Sequence, residues 1–207
     1  MKNEISKMNK IKEIEKFGRE NLYPIILSDS AEVLIKLIRE NKPKKILEIG
    51  TCIGYSGSLI LTNGLDDSIL TTIELNENSA NIAMNNFKDL GLDTRVDLRI
   101  GDAKYILQEL DEKYDFIFLD GPKGQYKNYF PYLKNLLKQN GILFADNIYF
   151  KGLVLKSEDE FISRGIRTIV KNLRVFIQQI KDDLDFQTDF LEIGDGISIS
   201  RKIKEKI

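Results

Sequence analysis

The sequence predicts an α/β fold with a doubly wound, mostly parallel seven-stranded sheet. Short apolar runs of strand length recur along the chain, helical patterns separate the first five of them, and the last two flank a Gly-Asp-Gly turn. Continuous apolar runs are typical of parallel strands buried on both faces, and their alternation with helices indicates an α/β sheet. The turn favours a C-terminal antiparallel hairpin.

Two helices are predicted ahead of the first strand. Apolar residues recur with helical spacing in the first one, at Ile5, Met8, Ile11, Ile14 and Phe17. The second helix is predicted to begin at Asp29, as an N-terminal cap with Glu32 three positions on, and to stop at Asn41 and Pro43.

Strands and helices alternate in the rest of the chain. The predicted strands are residues 46–49, 69–73, 96–100, 116–119, 142–144, 190–193 and 197–199. The predicted helices are residues 55–62, 77–90, 103–110, 125–139 and 158–180, with Gly91 and Gly141 as stops. Because no repeat or Pro/Gly-rich linker interrupts the pattern, we expect a single domain over residues 1–207, with amphipathic helices in about the first 41.

The composition excludes several classes of chemistry. The 207 residues include no histidine, no tryptophan and one cysteine, which excludes a Ser-His-Asp triad, a histidine general base, a structural zinc site and an internal disulfide. The formal net charge of −1 argues against a uniformly basic nucleic-acid binder. No window offers the roughly 18 to 20 uncharged apolar residues of a membrane span, and residues 1–16 lack an apolar signal core, so we expect a cytoplasmic protein.

A glycine-containing turn follows the first predicted strand. Gly50 and Gly54 lie in the segment 48–56, Glu-Ile-Gly-Thr-Cys-Ile-Gly-Tyr-Ser, which opens a helix at the edge where doubly wound sheets bind cofactors. The spacing is not the G-x-G-x-x-G of dinucleotide binders. A tight turn without a ligand is the alternative explanation.

Acidic residues lie at the ends of three successive strands, at Glu48, Glu74 and Asp102. A carboxylate in the position of Glu74 can accept both ribose hydroxyls of a nucleoside. Asp102 can accept from an adenine amino group, and Ala103 leaves room for the ring. Each of these residues, taken singly, could also be a solvated strand end.

The fourth and fifth strands end in Asp120 and in Asp146-Asn147. Their oxygen ligands suit Mg²⁺, Mn²⁺ or Ca²⁺, and a cation would remove the repulsion between two neighbouring carboxylates. Lys123 lies three residues after Asp120 and is near enough to approach a metal-bound molecule. The alternatives are that the aspartates only cap helices and that the lysine is solvated.

Four segments together resemble a known family. They are residues 48–56, 118–126 (Phe-Leu-Asp-Gly-Pro-Lys-Gly-Gln-Tyr), 145–147 with 152–154, and 194–196. In this order they resemble the cation-dependent class I O-methyltransferases related to catechol and caffeoyl-CoA methyltransferases, and most closely the bacterial tRNA 5-hydroxyuridine methyltransferases. The resemblance extends from Tyr23 to Ile199 and implies a Rossmann-like fold.

The resemblance also implies roles for individual residues. The residues implied to hold S-adenosylmethionine are Ile26, Glu48, Gly50, Thr51, Gly54, Tyr55, Ser56, Glu74, Asp102, Ala103 and Asp120. The implied ligands of Mg²⁺ (or Mn²⁺ or Ca²⁺) are Asp120, Asp146 and Asn147, with Lys123 and Asp120 as catalytic residues. Lys123 would either accept the acceptor proton in its neutral form or hold the oxyanion in its charged form. The chain departs from the family pattern at Gly121-Pro122 and Cys52, and Glu192 matches a glutamate beside the metal only by counting back from Asp195-Gly196.

The metal site restricts the acceptor to a molecule with two adjacent oxygens, which best satisfy a cation with free positions, and both a catechol and 5-hydroxyuridine offer such a pair. The resemblance implies the choice between them. We expect conversion of 5-hydroxyuridine to 5-methoxyuridine at the wobble position in the tRNA anticodon loop, with a catechol or caffeoyl-CoA type small molecule as the alternative acceptor. A non-catalytic RNA- or nucleotide-binding module is a third hypothesis, in which the oxygen ligands would be dispensable. A nicotinamide dehydrogenase is disfavoured by the glycine spacing.

Charged patches and tyrosines bear on the acceptor. Basic residues that could hold phosphates occur in residues 36–45, in 164–174 (Arg164, Arg167, Lys171 and Arg174) and in the tail (Arg201, Lys202, Lys204 and Lys206), and an acidic region spans 182–192. Tyrosines that could stack on a base are Tyr126, Tyr129 and Tyr149. The alternatives are that the charge runs are solvated faces and that the tyrosines pack within helices or loops. A homodimer is expected by resemblance, with the apolar stripe of the first helix packed either on the partner or on its own domain.

Overall fold

The computed structural model describes residues 2–157 and 163–203, with side chains from residue 5 onward. The chain forms two compact units, Met1–Ile106 and Leu107–Ile207. The helices in chain order are α1 (Lys2–Glu20), α2 (Ser28–Asn41), α3 (Tyr55–Asn63), α4 (Glu77–Asp89), α5 (Ala103–Glu109), α6 (Tyr126–Leu136) and α7 (Arg164–Asp182). The strands are β1 (Lys45–Ile49), β2 (Ile69–Glu74), β3 (Val96–Ile100), β4 (Tyr114–Leu119), β5 (Leu137–Ala145), β6 (Phe186–Leu191) and β7 (Ile197–Lys202).

The seven strands form a sheet in the order β3-β2-β1-β4-β5-β7-β6. The pairs β1–β2, β2–β3 and β4–β5 are parallel, whereas β7 is antiparallel to both β5 and β6. Leu191 pairs with Ile197 across the Gly-Asp-Gly turn, as the hairpin prediction required. The predicted α/β fold, mostly parallel with an antiparallel C-terminal hairpin, is therefore confirmed.

Helix α1 divides the predicted apolar stripe into two parts. Ile11 and Ile14 are 3% exposed and belong to the core of the first unit, where α1 packs against α3. Ile5 is 61% exposed and Met8 is 47% exposed. Phe17 is 43% exposed, so the stripe covers its own unit only in the middle of the helix and leaves apolar surface toward both ends.

The second helix begins differently from the prediction. Helix α2 starts at Ser28, and Leu27 occupies the N-cap position without a side-chain cap, so the prediction that Asp29 caps the helix was wrong. Asp29 instead lies in the first turn, where its negative charge complements the positive end of the helix dipole.

The boundary between α6 and β5 also differs from the prediction. Helix α6 ends at Leu136, and the three following residues, predicted as helix, begin β5. Gly141 is not a helix stop but lies inside this strand, where a Cβ would come within 2.9 Å of the Lys138 carbonyl and 3.0 Å of the Asp115 carbonyl. The reason is the parallel pairing of β4 with β5, whose register shifts between Tyr114 and Phe116 and needs close backbone approach there.

Helix α7 begins at Arg164 with Ser163 as its cap, since the Ser163 hydroxyl accepts from the Ile166 amide at 3.2 Å. The first five residues of the predicted helix, 158–162, lie outside the described residues. Within residues 2–157 and 163–203, no helix has an apolar stretch long enough to cross a bilayer.

Candidate active site

The loop that joins β1 to α3 carries the glycines singled out in the sequence. Gly50, Cys52 and Gly54 have φ values of 102°, 50° and 80°, a left-handed conformation that glycine adopts at little cost. At Gly54 a Cβ would lie 3.0 Å from the Phe87 ring and 3.2 Å from Ala83. Glycine is therefore required at position 54 by packing against α4, whether or not a ligand approaches.

Three of the predicted cofactor residues belong to one buried hydrogen-bond network. Glu48 is fully buried, and its two carboxylate oxygens accept from the hydroxyls of Ser56 and Thr72, each at 2.6 Å. Because the Thr72 hydroxyl donates its single proton to Glu48, the Thr51 hydroxyl is the donor in the 2.6 Å bond between Thr51 and Thr72. The network fixes the start of the loop to β1 and β2. Thr72 was missed in the sequence, where nothing distinguishes it from other strand residues.

Glu74 ends β2 and reaches back to the same loop. One carboxylate oxygen accepts from the Cys52 amide at 2.7 Å, and the other accepts from the Asn76 amide at 2.8 Å. An ionised carboxylate has about four acceptor positions, so two bonds within the protein leave acceptor capacity for the hydroxyls of a ribose. Glu74 is half-buried, consistent with such a position at the rim of a site.

Asp102 and Ala103 mark the start of α5. The Asp102 carboxylate accepts from the Lys104 amide at 2.8 Å and its side chain is exposed. Ala103 is 7% exposed. The preceding Gly101 amide donates to the Glu74 carbonyl at 2.8 Å, which ties this turn to the end of β2.

Ile26 and Tyr55 are held by charged residues of α1. The Arg19 guanidinium donates to the Ile26 carbonyl at 2.8 Å and to the Glu15 carboxylate at 3.3 Å. Glu15 in turn interacts with the Tyr55 hydroxyl, and burial together with this negative charge raises the pKa of Tyr55. The segment around Ile26, which is 2% exposed, is therefore anchored to α1, and Glu15 of α1 in turn contacts Tyr55 in the first turn of α3.

In the second unit, the predicted metal ligands follow neighbouring strands. Leu119 of β4 pairs with Ala145 of β5, and the Asp146 amide donates to the Leu119 carbonyl at 3.0 Å. Asp120 and Asp146 therefore follow adjacent positions of the sheet. Asp146 is fully buried, and Asn147 has a positive φ of 54°.

The chemistry of this set suits a hard divalent cation. Two carboxylates and one amide offer only oxygen ligands, which Mg²⁺ and Ca²⁺ prefer. No group of three or more His, Cys, Asp or Glu residues placed to hold a metal occurs in the part of the chain that the structure describes. The predicted set fits a cation only with the Asn147 amide as its third donor, and further ligands would have to come from water or substrate.

Lys123 points into this acidic cluster. Its ammonium donates to the Asp120 carboxylate at 2.5 Å, to the Tyr126 hydroxyl at 2.7 Å and to the Asp146 carbonyl at 3.3 Å. The side chains of Lys123 and Asp120 are 15% and 11% exposed, so the pair is only slightly screened by water. The lysine is thus not a solvated loop residue.

The sequence did not identify Tyr126 as a partner of Lys123. Tyr126 is fully buried, and burial together with the charges of Asp120 and Asp146 raises its pKa well above the usual value, so its hydroxyl stays neutral. Tyr129 is 2% exposed. Neither ring is accessible to stack on a base, so both tyrosines have the alternative role of packing within the protein. The spacing Lys123-x-x-Tyr126, one helical turn, was the available signal.

The turn between β6 and β7 supports the loop after Asn147. The Asp195 carboxylate accepts from the Lys151 amide at 2.6 Å and the Gly152 amide at 3.3 Å. Gly196 lies against the Tyr149 ring, and a Cβ at this position would overlap it. The Gly-Asp-Gly sequence thus shapes a loop next to the oxygen ligands, whereas Glu192 is exposed.

The predicted phosphate-binding residues separate into two groups. Arg164, Arg167 and Lys171 are exposed on α7. Three others make hydrogen bonds to backbone carbonyls within the second unit: Arg174 to Val154 and Lys156, Arg201 to Asn140, and Lys202 to Lys134 and Leu137. These three hold loops and strands in place. The tail lysines, 204 and 206, lie outside the described residues.

Comparison with known proteins extends over both units. The family model described as O-methyltransferase matches residues 3–203. Caffeoyl-CoA O-methyltransferase of Medicago sativa is 31% identical over 190 residues, which cover 86% of this chain and 74% of the relative. Caffeoyl-CoA O-methyltransferase 1 of Arabidopsis thaliana is 30% identical over 189 residues, covering 85% of this chain and 70% of the relative.

Solved structures of methyltransferases are also similar to this chain. A Staphylococcus aureus protein provisionally named a caffeoyl-CoA O-methyltransferase shares 34% identity and superposes with a TM-score of 0.86, covering 93% of this chain and 91% of that one. A Podospora anserina methyltransferase with bound S-adenosylhomocysteine shares 26% identity with a TM-score of 0.82, covering 93% and 87%. The similarity is therefore one of sequence and of fold together.

Proposed function

The chain belongs to the O-methyltransferase family and is an S-adenosylmethionine-dependent enzyme, and from this premise we propose that it methylates one of two adjacent oxygens of a catechol-like small molecule, as in a caffeoyl-CoA type acceptor. The observation that carries the proposal is the cluster in which the Lys123 ammonium contacts the Asp120 carboxylate beside Asp146. The names of the relatives support the same acceptor class.

Residues of the first unit are proposed to bind the methyl donor. Glu74 would accept hydrogen bonds from the ribose hydroxyls, with Asp102 and Ala103 at the adenine and Ile26 at the methionine part. The backbone of the Gly50–Gly54 loop would approach the ligand. Three further residues, Glu48, Thr51 and Ser56, would support this loop through their buried network and not bind the donor directly. Their hydrogen-bonding groups are engaged with one another and with Thr72.

Residues of the second unit are proposed to bind and activate the acceptor. A divalent cation such as Mg²⁺, held by Asp120, Asp146 and Asn147, would lower the pKa of an acceptor hydroxyl. The Lys123 ammonium stabilises the negative charge that develops on this oxygen. In the reaction the oxygen forms a bond to the methyl carbon as the carbon–sulfur bond breaks, the electron pair stays on sulfur, and the acceptor proton leaves to solvent.

The test measures methyl transfer from labelled S-adenosylmethionine to a catechol and to caffeoyl-CoA, with Mg²⁺ or with EDTA. Lys123→Met should lower turnover about a hundredfold, because the positive charge that stabilises the developing oxyanion is lost, with little change in cofactor affinity. Asp146→Asn should weaken Mg²⁺ binding measured by calorimetry. Metal-independent transfer, or full turnover by the lysine variant, would contradict the proposed roles.

A second acceptor, 5-hydroxyuridine in the tRNA anticodon loop, is favoured by the exposed basic residues of α7. This helix contacts the turn after Asp120, since the Asn172 amide donates to the Gly124 carbonyl at 2.8 Å. Arg164, Arg167 and Lys171 therefore lie on a helix that adjoins the Lys123 turn, where they could hold RNA phosphates.

The two acceptors are separated by running the same assay on tRNA that contains 5-hydroxyuridine. Replacing Arg164, Arg167 and Lys171 by Gln should strongly lower tRNA methylation and reduce the salt dependence of the activity that remains, while methylation of catechol is retained. If wild-type enzyme labels catechol but not tRNA, the tRNA hypothesis fails. A non-catalytic binding module is disfavoured by membership of an enzyme family.

We also propose a homodimer. The support is the exposed apolar surface at Ile5 and Met8, which a second copy would cover. Ile5→Lys with Met8→Lys should convert a dimer to a monomer in sedimentation velocity experiments. A wild-type monomer at micromolar concentration would contradict the proposal.

A further inference from the structure

We propose that Tyr126 positions Lys123 for reaction, acting through a hydrogen bond to its ammonium and not by touching the substrate. The inference rests on the proposed function in one respect, that Lys123 acts on the acceptor oxygen. It assigns a role to a buried side chain at the end of the Lys123 turn, where α6 begins.

The hydrogen bonds around Lys123 define its position fully. The ammonium has three protons, and three acceptors lie within reach: the Asp120 carboxylate, the Tyr126 hydroxyl and the Asp146 carbonyl. Lysine has four rotatable side-chain bonds and loses considerable entropy when it is fixed. Acceptors in three directions select one conformation of this chain.

Tyr126 is suited to this task because it is itself fixed at both ends. Its ring is fully buried and packs edge-on against Phe176, with ring centroids 5.2 Å apart. Its hydroxyl lies 3.0 Å from the Leu119 carbonyl and 3.1 Å from the Asp146 carbonyl. The single hydroxyl proton goes to one of these carbonyls, and a lone pair remains to accept from Lys123.

The two carbonyls connect the lysine to the strands that carry the oxygen ligands. Leu119 immediately precedes Asp120, and Asp146 is itself one of the proposed ligands. The tyrosine hydroxyl thus fixes the position of the Lys123 ammonium relative to the ends of β4 and β5. Phenylalanine would preserve the ring packing and remove only this connection.

The first experiment is a kinetic cycle. Tyr126→Phe should lower kcat about tenfold, as expected for loss of one hydrogen bond to a charged group, and leave the KM for S-adenosylmethionine unchanged. In a Lys123→Met background the same change should have no further effect on kcat. Tyr132→Phe, in the same helix with an exposed side chain, is the matched control. An equal loss in both backgrounds would mean that Tyr126 supports the fold alone, and would overturn the proposal.

The second experiment does not depend on catalysis. In ¹H–¹⁵N spectra of lysine ammonium groups, wild-type protein should show a signal for Lys123, identified by its absence in Lys123→Met, because its protons are hydrogen-bonded and shielded from exchange. Tyr126→Phe should shift or broaden this signal while Tyr132→Phe preserves it. An unchanged signal in Tyr126→Phe would overturn the inference. If wild-type protein has no activity on any acceptor, the proposed function fails while this spectrum still tests the positioning.

Discussion

Gly196 illustrates how a single position can shape the loop that follows the oxygen ligands. Its φ is +83°, a conformation that side chains rarely adopt, and the Tyr149 ring lies where a Cβ would be. The Tyr149 amide also donates to the Asp195 carbonyl at 3.0 Å. Two independent constraints, backbone conformation and ring packing, therefore demand glycine here.

Gly196→Ala should lower the free energy of unfolding by about 2 to 3 kcal/mol, because both constraints are violated. Chemical denaturation measures this change. The variant Tyr149→Ala removes the overlap with the ring but not the backbone strain. Gly196→Ala should therefore cost less unfolding free energy in a Tyr149→Ala background than in the wild type. If Gly196→Ala is as stable as wild type, the assigned conformation of the turn is wrong.

The sequence placed the candidate site residues at strand ends but did not give their contacts. Glu48 and Asp120 could be found because each follows or ends an apolar run, and strand ends of parallel sheets share one edge. The burial of Glu48 against Thr72 could not be found, because the two residues are 24 positions apart and meet only through the pairing of β1 with β2. The roles implied for the binding residues themselves stay predictions.

At the scale of elements, α1 acts as an anchor for the segment around Ile26. Arg19→Met removes the hydrogen bonds to the Ile25 and Ile26 carbonyls, so this segment should become less ordered and S-adenosylmethionine should bind several-fold more weakly. Calorimetry measures the affinity. Lys16→Met is the control, since its ion pair with Glu20 is at the surface. Equal affinities of the two variants would exclude the anchoring role.

The contact between α6 and the start of β6 depends on a lysine. Lys134 lies 2.6 Å from the Asp183 carboxylate and 2.7 Å from the Asp185 carboxylate. Burial opposes the charged form, but these hydrogen bonds outweigh it and raise the pKa of Lys134 above 10.5. The acidic region predicted from 182 to 192 is therefore partly neutralised within the protein.

The raised pKa predicts a pH dependence of stability. A group whose pKa is raised in the folded state stabilises the protein fully at pH values below its unfolded-state pKa, here about 10.5. This stabilisation is lost as the pH rises through the folded-state pKa. The difference in unfolding free energy between wild type and Lys134→Met should be constant from about pH 7 to 9 and shrink above about pH 10.5. Denaturation at several pH values measures it. A difference that grows in alkali would contradict the assigned ion pairs.

Element boundaries show where local patterns fail. The apolar runs overlap all seven strands, and in β1, β2 and β4 the signal is continuous because these strands are buried on both faces. Strand β6 is partly exposed and spans Phe186–Leu191, so the predicted bounds of 190–193 were wrong. The end of α6 was misplaced because Leu136 and Leu137 are both buried, so the apolar pattern continues across the change from helix to strand. Only the pairing of β5 with β4, a long-range interaction, decides that residue 137 belongs to the sheet.

At the scale of the whole molecule, ligand binding tests how the two compact units cooperate. The proposed methyl-donor residues other than Asp120 belong to the first unit, while all seven strands are members of one hydrogen-bonded sheet. We therefore expect a single unfolding transition, which S-adenosylhomocysteine at a hundredfold excess over its Kd should stabilise by about 2.7 kcal/mol. For a chain of this length the shift in Tm is about 5 to 10 °C.

Calorimetry with and without S-adenosylhomocysteine distinguishes the outcomes. One transition that moves as a whole would mean that the energy of donor binding reaches the second unit, so that Asp120, Asp146 and Lys123 are held by the same cooperative structure. Two transitions, of which only one moves, would contradict the single-domain prediction. In that case Arg19→Met should lower both the donor affinity and the midpoint of the transition that moves, and should leave the midpoint of the other transition unchanged.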